Sequence, residues 1–127
     1  MDYMEKAKAL RADQTTHYNC CQSVLMPFCG RCGLDEETAR KAGAFFGSGM
    51  RCGSVCGAVT GALMTLGMAG AGNEAGPELM RRFREKHGTL NCRELLAAAR
   101  ERGEEKKTHC DGLVFEAVEM TRELLGE

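Results

Sequence analysis

Eight cysteines in 127 residues hold most of the chemistry open to this chain. Cys29-Gly30-Arg31-Cys32 is a CxxC, which can close a local disulfide or supply two metal ligands. Cys52 and Cys56 form a second closely spaced pair. Together Cys29, Cys32, Cys52 and Cys56 make a four-thiolate set of the kind that holds tetrahedral zinc or an iron–sulfur cluster. The gap between the pairs suits zinc-type spacing, although it contains a helix. No histidine follows Cys32, so the attachment pattern of a c-type haem fails. His17, His87 and His109 are isolated and read as surface or helix-terminal residues. GSGMRCG is not followed by GxxxxGK[ST], which argues against a phosphate loop.

Cysteines also recur beside residues that start helices. Asn19 is a good N-cap, with Gln22 completing a capping box, so Cys20 is the first helical residue. Asn91 places Cys92 in the same way, with Glu94 as its box partner. Thr108 and Asp111 read as a third box and put Cys110 in a first turn. Ser54, taken as a cap, does the same for Cys56. Free backbone N–H groups and the positive end of the helix dipole stabilise a thiolate there. Such thiols are nucleophiles and metal ligands at neutral pH. Arg51, Arg93 and His109 lie nearby in sequence and add positive charge. Cys56 is therefore expected to titrate below free cysteine, with burial opposing. Cys21 points about 100° away from Cys20 on a helix and reads as a core residue.

The elements that position these thiols are all helical. The run from Gly47 to Gly72 carries no charge between Arg51 and Glu74, and Gly53, Gly57 and Gly61 recur every fourth residue. In a helix they form one bare stripe against which a neighbouring backbone can pack. Six glycines between Gly53 and Gly72, with only two leucines, gain little from lipid, so the run is expected to be a buried helix rather than a membrane span. Before it come helices ending near Gln14, starting at Asn19 and broken at Pro27, and starting at Asp35 with Phe45 and Phe46 buried. After it come helices starting at Gly76-Pro77, Asn91 and Thr108. No strand-like alternation persists. The expected fold is all-α, a compact irregular bundle of six or seven helices around a central glycine-striped helix. Residues 1–127 then form a single all-helical, cysteine-rich domain.

Net charge is −1, so no basic field is available for nucleic acid. The charged, amphipathic start MDYMEKAKAL is unlike a signal peptide. A reducing cytoplasm is the expected location, where clustered cysteines serve catalysis or metal binding more often than structural disulfides.

The hexapeptide Cys56-Gly57-Ala58-Val59-Thr60-Gly61 resembles the CGAxxG signature of the C_GCAxxG_C_C family, small prokaryotic proteins described as redox-active. That pattern has one cysteine well before the signature, one in it and two after it. Cys20, Cys56, Cys92 and Cys110 match those positions, and the resemblance runs from about Asn19 to the C-terminus. It implies thiol redox chemistry without naming a substrate. Cys21, Cys29, Cys32 and Cys52 fall outside the pattern and leave the choice between redox and metal binding open.

The reading is a cytoplasmic thiol redox protein, a candidate thiol–disulfide oxidoreductase working through cysteines at helix N-termini. Cys56 is the favoured reactive thiolate, with Cys20, Cys92 and Cys110 as partners, and the four are expected to converge. The alternative is a zinc or iron–sulfur protein using some of the same thiolates, and a third is an interaction module whose cysteines only pack. The cofactor stays open between none, zinc and a cluster. The partner is a redox protein or a small molecule, with no nucleic acid and no membrane insertion, and a homo-oligomer is compatible.

Overall fold

Side chains that take up free backbone N–H groups set where most helices begin. The computed structural model describes residues 2–127. Among them lie seven α-helices and no strand, so the all-α expectation holds. They are α1 (Tyr3–Ala12), α2 (Cys20–Leu25), α3 (Glu36–Ala42), α4 (Gly57–Met68), α5 (Ala75–His87), α6 (Cys92–Glu101) and α7 (Lys106–Leu124). Asp2 caps α1 and Asp35 caps α3 by accepting from Glu5 and Thr38 amides. Asn19 and Gln22 form the reciprocal box on α2. Asn91 caps α6, but Glu94 accepts from the Thr89 hydroxyl instead of closing a box. Pro27 follows α2 in a short 3-10 turn, Met26–Phe28, as a proline at that point requires.

Three boundaries differ from expectation, each for a tertiary reason. α7 begins at Lys106, ahead of Thr108, and Asp111 binds Arg11 and Lys107 rather than a cap. α4 begins at Gly57, with Cys56 as its N-cap residue. Ser54 is held outside it: its N–H donates to the Gly49 carbonyl at 2.8 Å and its carbonyl accepts from Cys92 at 2.6 Å. The preceding loop carries Ser48, Met50 and Arg51 at φ of 52°, 59° and 63°. α3 stops at Ala42, because the Asn19 side-chain amide donates to the Gly43 and Ala44 carbonyls and draws the chain away. Phe45, expected inside, is 69% exposed under the Arg51 guanidinium. Pro77 is within the first turn of α5, not its first residue.

α4 is the central element. Gly57, Ala58, Val59, Gly61, Ala62, Thr65 and Leu66 are buried along it. It packs against α2, α5 and α7. Two glycines of the expected stripe make the contact with α2, while Gly53 lies in the loop before α4. A Cβ at Gly61 would stand 2.6 Å from the Cys21 carbonyl oxygen, and one at Gly57 would stand 3.0 Å from the Phe46 oxygen and 3.1 Å from the Cys20 Cβ. Among the described residues no helix is long and apolar enough to cross a membrane.

Two alanine substitutions on α4 should have opposite signs. Gly61→Ala forces a methyl group into backbone and should destabilise by about 1–3 kcal/mol. Gly67 meets nothing within 4 Å. Gly67→Ala should stabilise by about 0.5–1 kcal/mol, through helix propensity alone. Urea unfolding of both variants checks this, and an unchanged midpoint for Gly61→Ala would contradict the close contact.

Candidate functional site

Four helices bring one cysteine each to a single pocket. Cys20 is the first residue of α2, Cys92 the first of α6, Cys56 the N-cap of α4, and Cys110 lies one turn inside α7. All four line a cavity of about 110 Å³ together with Arg11, Lys106 and His109. The expected convergence is therefore present in the geometry.

Backbone and ion-pair contacts hold the walls. The Cys56 N–H donates to the Leu90 carbonyl at 2.8 Å, the Cys92 N–H donates to Ser54, and Val55 bridges Asn91. This stitch ties the start of α4 to the start of α6. Opposite it, Arg11 Nε donates to Asp111 Oδ1 at 2.6 Å and Arg11 Nη1 donates to the Tyr18 carbonyl at 3.0 Å. The Arg11 side chain is only 8% exposed. It joins α1, the segment before α2 and α7, and so fixes Cys20 relative to Cys110. Local periodicity gave no sign of this residue, whose partner is far along the chain.

The thiols do not share one electrostatic fate. Cys20 and Cys110 line the same cavity, and each shifts the titration of the other. Interaction with Cys110, together with burial, holds the Cys20 pKa far above the usual thiol value. The same interaction, with Arg11 and Lys106 adding positive charge, lowers Cys110 to about 7 against the opposing effect of burial. Burial raises Cys56 to about 11. The Ala58 and Val59 amides face its sulfur too loosely for a capping bond and only partly offset burial. The expectation of a lowered Cys56 pKa is thus reversed. Burial also raises Cys92.

His109 was read as an isolated histidine and a source of charge. It is instead 5% exposed, and burial lowers its pKa, which favours the neutral ring. Its Nδ1 lies 3.8 Å from Glu104 Oε1. Its Nε2 is the buried side-chain polar atom left without a hydrogen-bond partner among the described residues. The His109-Cys110 dipeptide was the available signal, hidden by the misplaced start of α7.

The set Cys29, Cys32, Cys52 and Cys56 is not brought together. Cys32 Sγ lies 3.6 Å from the Thr65 carbonyl, well along α4 from Cys56, and exposed Cys52 turns its sulfur to the Gly49 carbonyl. No group of three or more His, Cys, Asp or Glu suited to a metal occurs among the described residues. Cys21 is buried, with Sγ 3.6 Å from Met64 Sδ, as its core reading requires.

A family model described as "Putative redox-active protein (C_GCAxxG_C_C)" matches residues 18–124. The chain belongs to this family. Neither the curated proteins nor the solved structures give a match.

Alkylation of Cys110 should follow its lowered pKa. The rate should rise as pH passes about 7 and be lost below it. Cys20→Ala removes the neighbouring thiol and should move the inflection up toward about 8.5. Peptide-resolved alkylation against pH checks both, and an inflection at or above about 8.5 in the unsubstituted protein would contradict the assignment.

Proposed function

We propose that this member of a redox-active family works as a thiol–disulfide oxidoreductase whose dithiol is Cys20 and Cys110. The observation that carries this reading is that the two thiols line one pocket with the other two cysteines of the family pattern, where Cys20 is held protonated and the Cys110 pKa is lowered. It supplies a thiolate and a second thiol in one pocket. The thiolate is the attacking species in exchange through a mixed disulfide, and the second thiol resolves it.

The step balances as follows. Cys110 thiolate attacks one sulfur of a substrate disulfide, a new S–S bond forms, and the other substrate sulfur leaves as thiolate. Cys20 then attacks the Cys110 sulfur. The mixed disulfide breaks, and the Cys20 proton passes to the departing substrate sulfur. One substrate disulfide becomes a thiol and a thiolate, and the Cys20–Cys110 pair loses two electrons. Cys56 and Cys92, kept protonated by burial, serve as walls of the pocket rather than as the attacking group. This assignment moves the reactive role from Cys56 to Cys110. A cycling dithiol of this kind fits the reducing cytoplasm.

Oxidation with one equivalent of a small disulfide, followed by non-reducing peptide mapping, tests the pair. The expected product is a Cys20–Cys110 link that persists in Cys56→Ser and Cys92→Ser. A link between Cys29 and Cys32, or between Cys56 and Cys92, with Cys20 and Cys110 still free, would overturn it.

A further inference from the structure

From the charges around the thiol pocket we infer that its substrate is a low-molecular-weight disulfide bearing carboxylates, admitted one arm at a time. The inference rests on the Cys20–Cys110 reading and adds the substrate class.

Size comes first. Sites for drug-sized ligands occupy roughly 300–1,000 Å³. The cavity here is about 110 Å³. It takes a sulfur and a short arm, not a folded polypeptide segment.

Charge comes second. The charged residues lining the cavity are Lys106 and Arg11, the latter paired with Asp111, and none of the lining residues is Asp or Glu. α7 opens with Lys106 and Lys107 and has no acidic residue in its first turn. Cations there work against the helix dipole. Lys107 offsets this with an ion pair to Asp111 one turn on, at 2.9 Å. Lys106 stands in the same relation to Cys110. Residues four apart share a helix face. Its natural counter-charge is therefore the Cys110 thiolate or an anion beside it, and it acts favourably on the thiolates of both Cys110 and Cys92.

An unused polar atom comes third. His109 lines the same cavity, is 5% exposed, and leaves Nε2 without a partner among the described residues. Buried polar groups are nearly always hydrogen-bonded. In the Nε2–H tautomer it donates to a carboxylate oxygen of the entering arm.

Three disulfides of similar size and different charge test the inference: dithiodiglycolate, bis(2-hydroxyethyl) disulfide and cystamine. The readout is the rate of Cys20–Cys110 formation with each, divided by that compound's rate with 2-mercaptoethanol. The assay runs above the Cys110 titration. The anionic compound should exceed the neutral one by about tenfold, and the cationic one should be slowest. Lys106→Gln should shrink the anionic-to-neutral ratio, and added salt should shrink it in the unsubstituted protein without any substitution. Equal corrected rates for all three, or a faster neutral or cationic compound, would overturn the substrate class while leaving the dithiol intact. Failure of all three to form the Cys20–Cys110 bond would overturn the dithiol reading itself.

Discussion

The bare contact between α2 and α4 is the constraint on which the site depends. At Gly57 and Gly61 the two helices meet backbone to backbone, with the Cys21 carbonyl where a side chain on α4 would stand. A larger residue at either glycine pushes α2 outward and carries Cys20 with it. The hexapeptide Cys56-Gly57-Ala58-Val59-Thr60-Gly61 therefore has two kinds of member. Its cysteine forms part of the pocket wall, and its glycines hold the opposite wall at working distance.

Magnitudes explain why four cysteines in similar places differ. A charge in the first turn gains about 0.3–1 kcal/mol from the helix terminus. One pKa unit corresponds to about 1.36 kcal/mol, so that gain is worth less than one unit. Full burial can shift a group by about 3–5 units the other way. At Cys56, which is 4% exposed, burial wins. Cys110 escapes because it interacts with the Cys20 thiol and with the positive charges of Arg11 and Lys106. A helix start alone does not make a reactive thiol. A neighbouring thiol and nearby cations do.

Much of the fold was legible because short polar side chains mark helix starts locally. Asn19, Asp35 and Asn91 cap where they were expected to. Ser54 and Thr108 have the same chemistry and do not cap, because distant partners hold their surroundings: Cys92 takes the Ser54 carbonyl and Arg11 takes Asp111. Phe45 looked like core by periodicity, yet the Asn19 amide ends that helix early. The meeting of Cys20, Cys56, Cys92 and Cys110 was legible through their helix starts and the family pattern together. The pairing of Cys20 with Cys110 and the burial of His109 were not, since both depend on contacts between elements remote in sequence.

The central claim is that Cys20 and Cys110 form one reversible two-electron couple. Equilibration in glutathione redox buffers, with acid quenching and quantification of the Cys20–Cys110 peptide, measures it directly. The account predicts a single transition with a two-electron slope, about 30 mV per tenfold change in the ratio of oxidised to reduced protein. That transition should be lost in either single serine variant. A one-electron slope, or full oxidation of the protein with Cys20 and Cys110 still free, would contradict it.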